Sequence, residues 1–303
     1  MKTEEFSRED VVFYSDGQKI AAHLYRPESW KPGDPALPAI ISLTGYSGRK
    51  NIATVDIPRR MAREGFVALA PDYVGYGEAE GERRRHRPLE QAQNVYDAVT
   101  YLETVDGVDS ARVGVYGSSF GAANAVWAAA FDPRLKVVVS AVGVHDGERW
   151  LRSVRSAYDW YKFRDAVRAE ARHRVVTGEK QDIYRYDIYP LDPDATDKPT
   201  MTVEEHGAVD DPYVDMESAE AAFRYKPDWV VDRISPRPVL FFAAGYDVMV
   251  PPEEARLTFE KCGEPKKLVE LPEARHNQVY EYSNSEHFET VARETAAWFR
   301  EYL

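Results

Sequence analysis

The chain of 303 residues holds a single cysteine, Cys262, and no apolar run of the roughly 18 residues that a bilayer-spanning helix needs. One thiol forms no internal disulfide and supplies no thiolate metal set, as a cytosolic chain would permit, and Cys262 reads as a bystander. The longest apolar stretches, 137–144 and 239–245, are strand-sized. Basic charge is also scarce: 39 Lys and Arg against 51 Asp and Glu leave a formal charge of −12. That balance repels phosphate backbones and anionic lipid heads, so neither nucleic acid nor a membrane is expected as a partner. No cluster of cysteine or histidine with metal-ligand spacing occurs, so no metal is expected. The first ten residues carry four acids and no apolar h-region, unlike a secretory signal. A mature chain starting near Met1 and a cytoplasmic location are the expectations.

What is present is ordinary globular composition, 44% hydrophobic and 30% charged, in a length about twice that of a common domain. An N-terminal hairpin over 11–14 and 20–25 turns at Asp16-Gly17. Short unbroken apolar strands at 39–43, 66–70, 112–116 and 136–142 then alternate with helices near 53–64, 89–103 and after Ser119. Strands of this kind are apolar on both sides, which predicts a mostly parallel central sheet with helices on both faces. The helix near Leu89 supports the period, with Leu89, Ala92, Val95, Val99 and Leu102 at three- and four-residue steps. The alternation stops near His145 and resumes near Pro238 with a strand at 239–244, a helix at 253–261, a strand at 267–271 and an amphipathic helix from Ser285. Residues 1–144 and 236–303 therefore read as the core, and 145–235 as an inserted, largely helical cap.

Gly117-Ser118-Ser119-Phe120-Gly121 falls between a strand and a helix. The pattern alone recurs by chance in roughly one chain in ten of this length, but its place is the one a nucleophile elbow requires. Such a turn lifts the Ser119 hydroxyl to a helix N-terminus above the sheet. A serine hydroxyl is a poor nucleophile at neutral pH and needs a base, which in turn needs an orienting acid. Asp247 follows the strand at 239–244 and His276 follows the strand at 267–271, each at a strand end where a partner of Ser119 is required. Asp146, ending the strand after the elbow helix, is the reserve acid. The other histidines, including His23, His86, His173, His206 and His287, read as structural or solvated. Donors for a developing oxyanion come from the Phe120 N–H and, in the loop Leu43-Thr44-Gly45-Tyr46-Ser47-Gly48, the Tyr46 N–H. The Tyr46 phenol either adds a third donor or lines the acyl pocket.

With these residues assembled, the sequence resembles the α/β-hydrolase superfamily, within the broad group of dienelactone-hydrolase-like, acyl-peptidase-like and cocaine-esterase-like enzymes. The resemblance covers most of the chain: the loop ending at Gly48, Pro71-Asp72-Tyr73-Val74-Gly75-Tyr76-Gly77, the elbow, the Asp247 loop ending Val250-Pro251, and His276. It implies an α/β-hydrolase fold, a Ser119 nucleophile, an Asp247 acid and a His276 base, with no metal or organic cofactor. Thr44 stands where many relatives carry histidine, and serine rather than cysteine at the elbow departs from true dienelactone hydrolases.

The cap is electrically polarised. Residues 146–174 have eight basic and five acidic side chains, and 182–220 have two basic and twelve acidic. The halves dock on each other, are solvated, or form a subunit contact that would make a homo-oligomer. Trp150, Trp160 and Tyr161 are the pocket candidates, against the alternative that they pack the cap onto the core. The expected function is cleavage of a small-molecule carboxylic ester through an acyl-enzyme. Lactone, amide or peptide cleavage would use the same triad, and an acyltransferase, a cyclase or a binding protein on a dead scaffold are alternatives of another class.

Overall fold

In the computed structural model of the protein, residues 5–46, 48–51, 55–191, 212–281 and 283–303 are described. Ser47 of the oxyanion-donor loop, Ala53 at the expected start of the first helix, His206 and much of the acidic half of the cap lie outside them.

Strands β1 (Phe6–Ser15) and β2 (Gln18–Pro27) form the expected hairpin. Its two turn residues, Asp16 and Gly17, have φ of 48° and 75°. Two successive positive φ values match the primed turns whose twist suits a two-residue hairpin. The hairpin extends a sheet completed by β3 (Leu37–Leu43), β4 (Val67–Pro71), β5 (Val108–Ser118), β6 (Leu135–Ala141), β9 (Val239–Ala244) and β10 (Lys266–Leu271), in the order β1-β2-β4-β3-β5-β6-β9-β10. From β4 to β10 every pairing is parallel, and β2 runs against both its neighbours. Every residue of β4 and β9 is buried, because helices cover both faces.

On one face lie α1 (Asp56–Arg63) and α9 (Ser285–Tyr302), which bury Ile57, Met61, Phe288, Val291, Ala292 and Phe299. Asn284 caps α9 by accepting the Glu286 and His287 amides at 3.0 Å each, satisfying donors a helix start leaves open. On the other face lie α2 (Pro88–Leu102) and α3 (Phe120–Phe131). Pro88 opens α2, where a missing N–H costs nothing. The buried stripe of α2 runs from Ala92 through Val95 and Val99 to Leu102; Leu89, in the first turn, is 62% exposed and falls outside it. Helix α8 (Glu253–Lys261) packs on β9 and β10. No described helix is long and apolar enough to cross a membrane.

Between β6 and β9 the chain forms α4 (Gly147–Ser153), α5 (Ala157–Thr177), α6 (Arg185–Ile188) and α7 (Glu217–Arg224). It also forms a two-stranded antiparallel ribbon, β7 (Asp182–Tyr184) with β8 (Tyr213–Asp215), separate from the central sheet. Ser156 starts α5 by accepting the Asp159 amide, and Gly178 ends it with φ 77°. Leu151, Trp160, Val167, Ile188, Val214 and Ala222 from this insertion join Phe120 of α3 in one buried cluster. The polarised halves dock: Arg174 of α5 donates to Glu220 of α7 at 2.7 Å and lies 3.3 Å from Glu217.

Candidate active site

The elbow depends on backbone that only special residues allow. Ser119 has φ 55° and ψ −122°, a conformation L-residues avoid at a cost of about 1–3 kcal/mol. It is held there because its N–H donates to Ala141 O at 2.9 Å and its carbonyl accepts from Val144 at 3.3 Å. Val142, one residue past Ala141, is also at positive φ, 45°, which is rarer still for a β-branched side chain. Behind the serine, α3 starts against the end of β3 so closely that a Cβ on Gly121 would sit 2.3 Å from Thr44 O. That contact leaves room for glycine alone.

The loops after β9 and β10 are joined by backbone. Gly245 N donates to Leu271 O and Tyr246 N to Ala274 O, both at 2.9 Å, and a Cβ on Gly245 would meet Pro272 O at 2.1 Å. This pairing brings Asp247 and His276 together. Asp247 Oδ2 lies 2.6 Å from His276 Nδ1, and His276 Nε2 lies 3.0 Å from Ser119 Oγ. The other carboxylate oxygen of Asp247 accepts the Met249 and Val250 amides at 2.9 and 2.7 Å, which fixes the carboxylate plane. Asp247 and His276 are buried, while Ser119 is partly accessible. Asp146, the reserve acid, is used otherwise. It caps α4 by accepting the Glu148 and Arg149 amides at 3.0 Å and takes a 2.9 Å bond from Lys226.

Gly45 brings the β3 loop onto the nucleophile: its Cβ position would lie 3.1 Å from Ser119 Cβ. Among the described residues, the Tyr46 and Phe120 amides donate to no backbone carbonyl in the turns, loops and helix caps. The far end of that loop is anchored by a buried ion pair that the sequence reading missed. Lys50 donates to Asp72 through its amide at 2.7 Å and through Nζ at 2.8 Å, and Nζ also pairs with Glu78. Burial alone would lower the Lys50 pKa, but Asp72 and Glu78 outweigh it and raise it. The signal was Asp72 in the Pro71 to Gly77 run, which the resemblance included without a role.

The aromatic candidates separate. Trp150 is buried, edge-on to Phe120 at 6.0 Å, and its indole N–H donates to Met249 O at 2.7 Å, joining α4 to the Asp247 loop. Trp160 is buried within the insertion, edge-on to Phe223 of α7 at 5.4 Å. Tyr161 is 53% exposed beside the Arg164 guanidinium. The two neighbours on α5 point different ways because successive helical positions are 100° apart. His86, read as structural or solvated, is fully buried, stacked on Tyr46 at 3.9 Å and edge-on to Phe120 at 4.4 Å. Tyr189 and Tyr225 complete this wall at 5.1 Å from Tyr46 and 5.9 Å from Phe120.

Known proteins share this architecture. The α/β hydrolase GrgF from Penicillium sp. sh18 superposes with a TM-score of 0.77 at 22% identity, over 98% of this chain and 99% of that one, so the fold is that of the α/β hydrolases. An uncharacterised 31.7 kDa protein of Escherichia coli, from the traX-finO intergenic region, is 26% identical over 271 residues, 88% of this chain and 91% of that protein. The thiohydrolase aneE of Aspergillus aculeatus is 32% identical over 139 residues, 45% of this chain and 42% of its own. The family model for X-Pro dipeptidyl-peptidases of the S15 family matches residues 16–276, and the chain belongs to that family of hydrolases.

Proposed function

We propose that the protein is a serine hydrolase that cleaves a carboxylic ester through an acyl-enzyme. The observation that carries this reading is the buried His276 ring set between Ser119 at 3.0 Å and Asp247 at 2.6 Å. In the first half-reaction Ser119 Oγ attacks the acyl carbon and His276 Nε2 takes the hydroxyl proton. Asp247 holds the ring by accepting Nδ1–H and stabilises the imidazolium that forms. The carbonyl oxygen becomes an oxyanion facing the Phe120 and Tyr46 amides, each such donor being worth about 3 kcal/mol in other hydrolases. When the tetrahedral intermediate collapses, the bond to the leaving oxygen breaks and His276 returns the proton to it. Water then repeats the sequence on the acyl-enzyme, releasing the acid and free Ser119.

A thioester is the second reading, favoured by the similarity to a protein named thiohydrolase. The test is a fluorophosphonate probe on the wild type and on Ser119→Ala, followed by oxygen esters and thioesters of one acyl group, with lactones and anilides beside them. Labelling confined to the wild type and faster turnover of oxygen esters support the proposal. Faster thioester turnover shifts it to the second reading, and no labelling overturns both.

A further inference from the structure

The wall beside the nucleophile carries polar atoms that the acyl-transfer steps leave unused. Tyr46, His86 and Tyr225 surround the Phe120 ring, and each brings an atom, Tyr46 OH, His86 Nε2 and Tyr225 OH, that is buried with no hydrogen-bond partner among the described residues. Burying unpaired polar atoms is costly, and an apolar acyl group alone would be better served by phenylalanine or leucine at these places.

The hydrogen-bond chain behind His86 sets what it offers. Asn124 Nδ2 donates to Tyr73 OH at 3.0 Å and to Gln91 Oε1 at 2.9 Å. With that oxygen taken, Gln91 turns its Nε2 to His86 Nδ1 at 3.2 Å, so Nδ1 accepts and the ring proton resides on Nε2. Burial pushes the His86 pKa down to about 3, helped by Arg87, so the ring stays neutral at working pH. His86 therefore presents a fixed, uncharged N–H, suited to a neutral acceptor. The leaving group must depart beside His276, which protonates it. His86 stacks on Tyr46 and meets Phe120 edge-on, the two residues whose amides are the oxyanion donors of the acyl-enzyme reading, which in that reading puts the stack on the acyl side of the bond that breaks.

We propose that His86 is a specificity-determining residue whose Nε2–H recognises a second oxygen on the acyl group, a ketone, hydroxyl or ether beyond the reacting carbonyl. This rests on the acyl-enzyme reading and names the substrate class within it: esters of oxygen-substituted acids rather than of plain alkanoic acids.

The experiment compares p-nitrophenyl hexanoate with its 3-hydroxy, 4-oxo and 5-oxo counterparts on the wild type, His86→Phe and His86→Gln. The wild type should favour at least one oxygenated ester by about tenfold to a hundredfold in kcat/KM. His86→Phe keeps a ring between Tyr46 and Phe120 but has no N–H, and should bring that ratio to about one. His86→Gln retains an N–H near the same place and should restore part of the preference. If His86→Phe does not fold, as judged by circular dichroism, His86→Met takes its part. A wild-type ratio near one for every oxygenated ester overturns the proposal, as does an equal loss on all substrates in the variant, which is what a packing role alone would give. Either result leaves the hydrolase reading standing, whereas an unlabelled Ser119 with no ester turned over brings that reading down.

Discussion

The sheet edge carrying Ser119, Asp247 and His276 and the insertion packed over it are held by different forces. At the sheet edge the fixing contacts are backbone to backbone: Gly121 against Thr44 O, Gly245 against Pro272 O, and the pair of 2.9 Å bonds joining the two loops. There is no space for one added methyl group. The insertion is held by the apolar cluster it shares with Phe120 and, beyond that, by ion pairs reaching across from the core. Arg87 donates to Asp215 at 2.7 Å, Arg84 to Asp182 at 2.7 Å, Lys180 to Glu82 at 2.9 Å and Arg149 to Glu254 at 2.9 Å. The placing of Ser119, Asp247 and His276 thus rests on backbone packing that tolerates no drift, while the seating of the insertion rests in part on charges that substitution can re-pair.

The sharpest way to break that contrast is Ser119→Ala. Turnover of an activated ester should fall by at least about three orders of magnitude, because the triad acts as a unit, while the melting temperature stays where it was. His276→Ala should look nearly the same. Asp247→Asn should lose most activity and Asp146→Asn almost none, since Asp146 is committed to the start of α4 and to Lys226. The reverse pattern would reassign the acid.

The root of the insertion should respond in the opposite way. Arg149→Leu leaves the buried Glu254 carboxylate without a cation, held only by the His145 and Asp146 amides at 3.0 Å, and takes one of two cations from the buried Asp228, which keeps Lys261 at 2.6 Å. Breaking such a pair from one side costs about 3–5 kcal/mol, so the melting temperature should drop by many degrees. A calorimetric scan checks it. Fluorophosphonate labelling of whatever remains folded should persist, because the triad lies on other elements.

Trp150→Phe tests the seam between the two regions. It keeps a ring on Phe120 and deletes the bond to Met249 O, whose own N–H holds Asp247. Loss of about 1 kcal/mol of stability and a fewfold fall in kcat for all esters are expected. A change confined to KM for bulky substrates would instead make Trp150 a pocket wall only.

The contrast also explains what was legible in the sequence. Parallel strands buried on both faces leave unbroken apolar runs, so β4, β6 and β9 could be read within a residue or two of their ends. The residues of the triad sit at strand ends, which such runs mark. For His86, read as structural or solvated, the sequence could not choose between the two: its loop looks basic and solvated, and it becomes interior because the insertion closes on it through Ser218 Oγ, which accepts the His86 amide at 2.9 Å. Which of Trp160 and Tyr161 is buried was illegible for a related reason, since residue type does not say which side of α5 meets α7. Lys50 and Asp72 are 22 positions apart, and nothing local announces a buried pair at that distance.

The smallest expected effect concerns acid and the Arg87–Asp215 pair. Burial would raise the Asp215 pKa, but the bonds from Arg87 and Ser218 and the nearby Lys180 outweigh it and hold the carboxyl below its ordinary range. A carboxylate with a depressed folded pKa contributes stability that is complete above the unfolded value of about 4 and is lost as pH falls through the folded value. His86, held neutral with a pKa of about 3 while buried, takes up a proton near 6.5 only when its ring is exposed, so it adds a separate loss of stability as pH falls from about 6.5. The part of the clasp that depends on the Asp215 carboxylate should therefore stay complete from pH 7 down to about 5 and be lost only below about 4. Hydrogen exchange, corrected for the intrinsic acid dependence, should show the Asp215 and Ser218 amides losing protection there ahead of those in β6, because they bond to Arg84 O and to the Asp215 carboxylate itself. In Asp215→Asn that extra pH dependence should vanish. Loosening already at pH 6 in the wild type would mean that another group, not this carboxylate, governs the clasp.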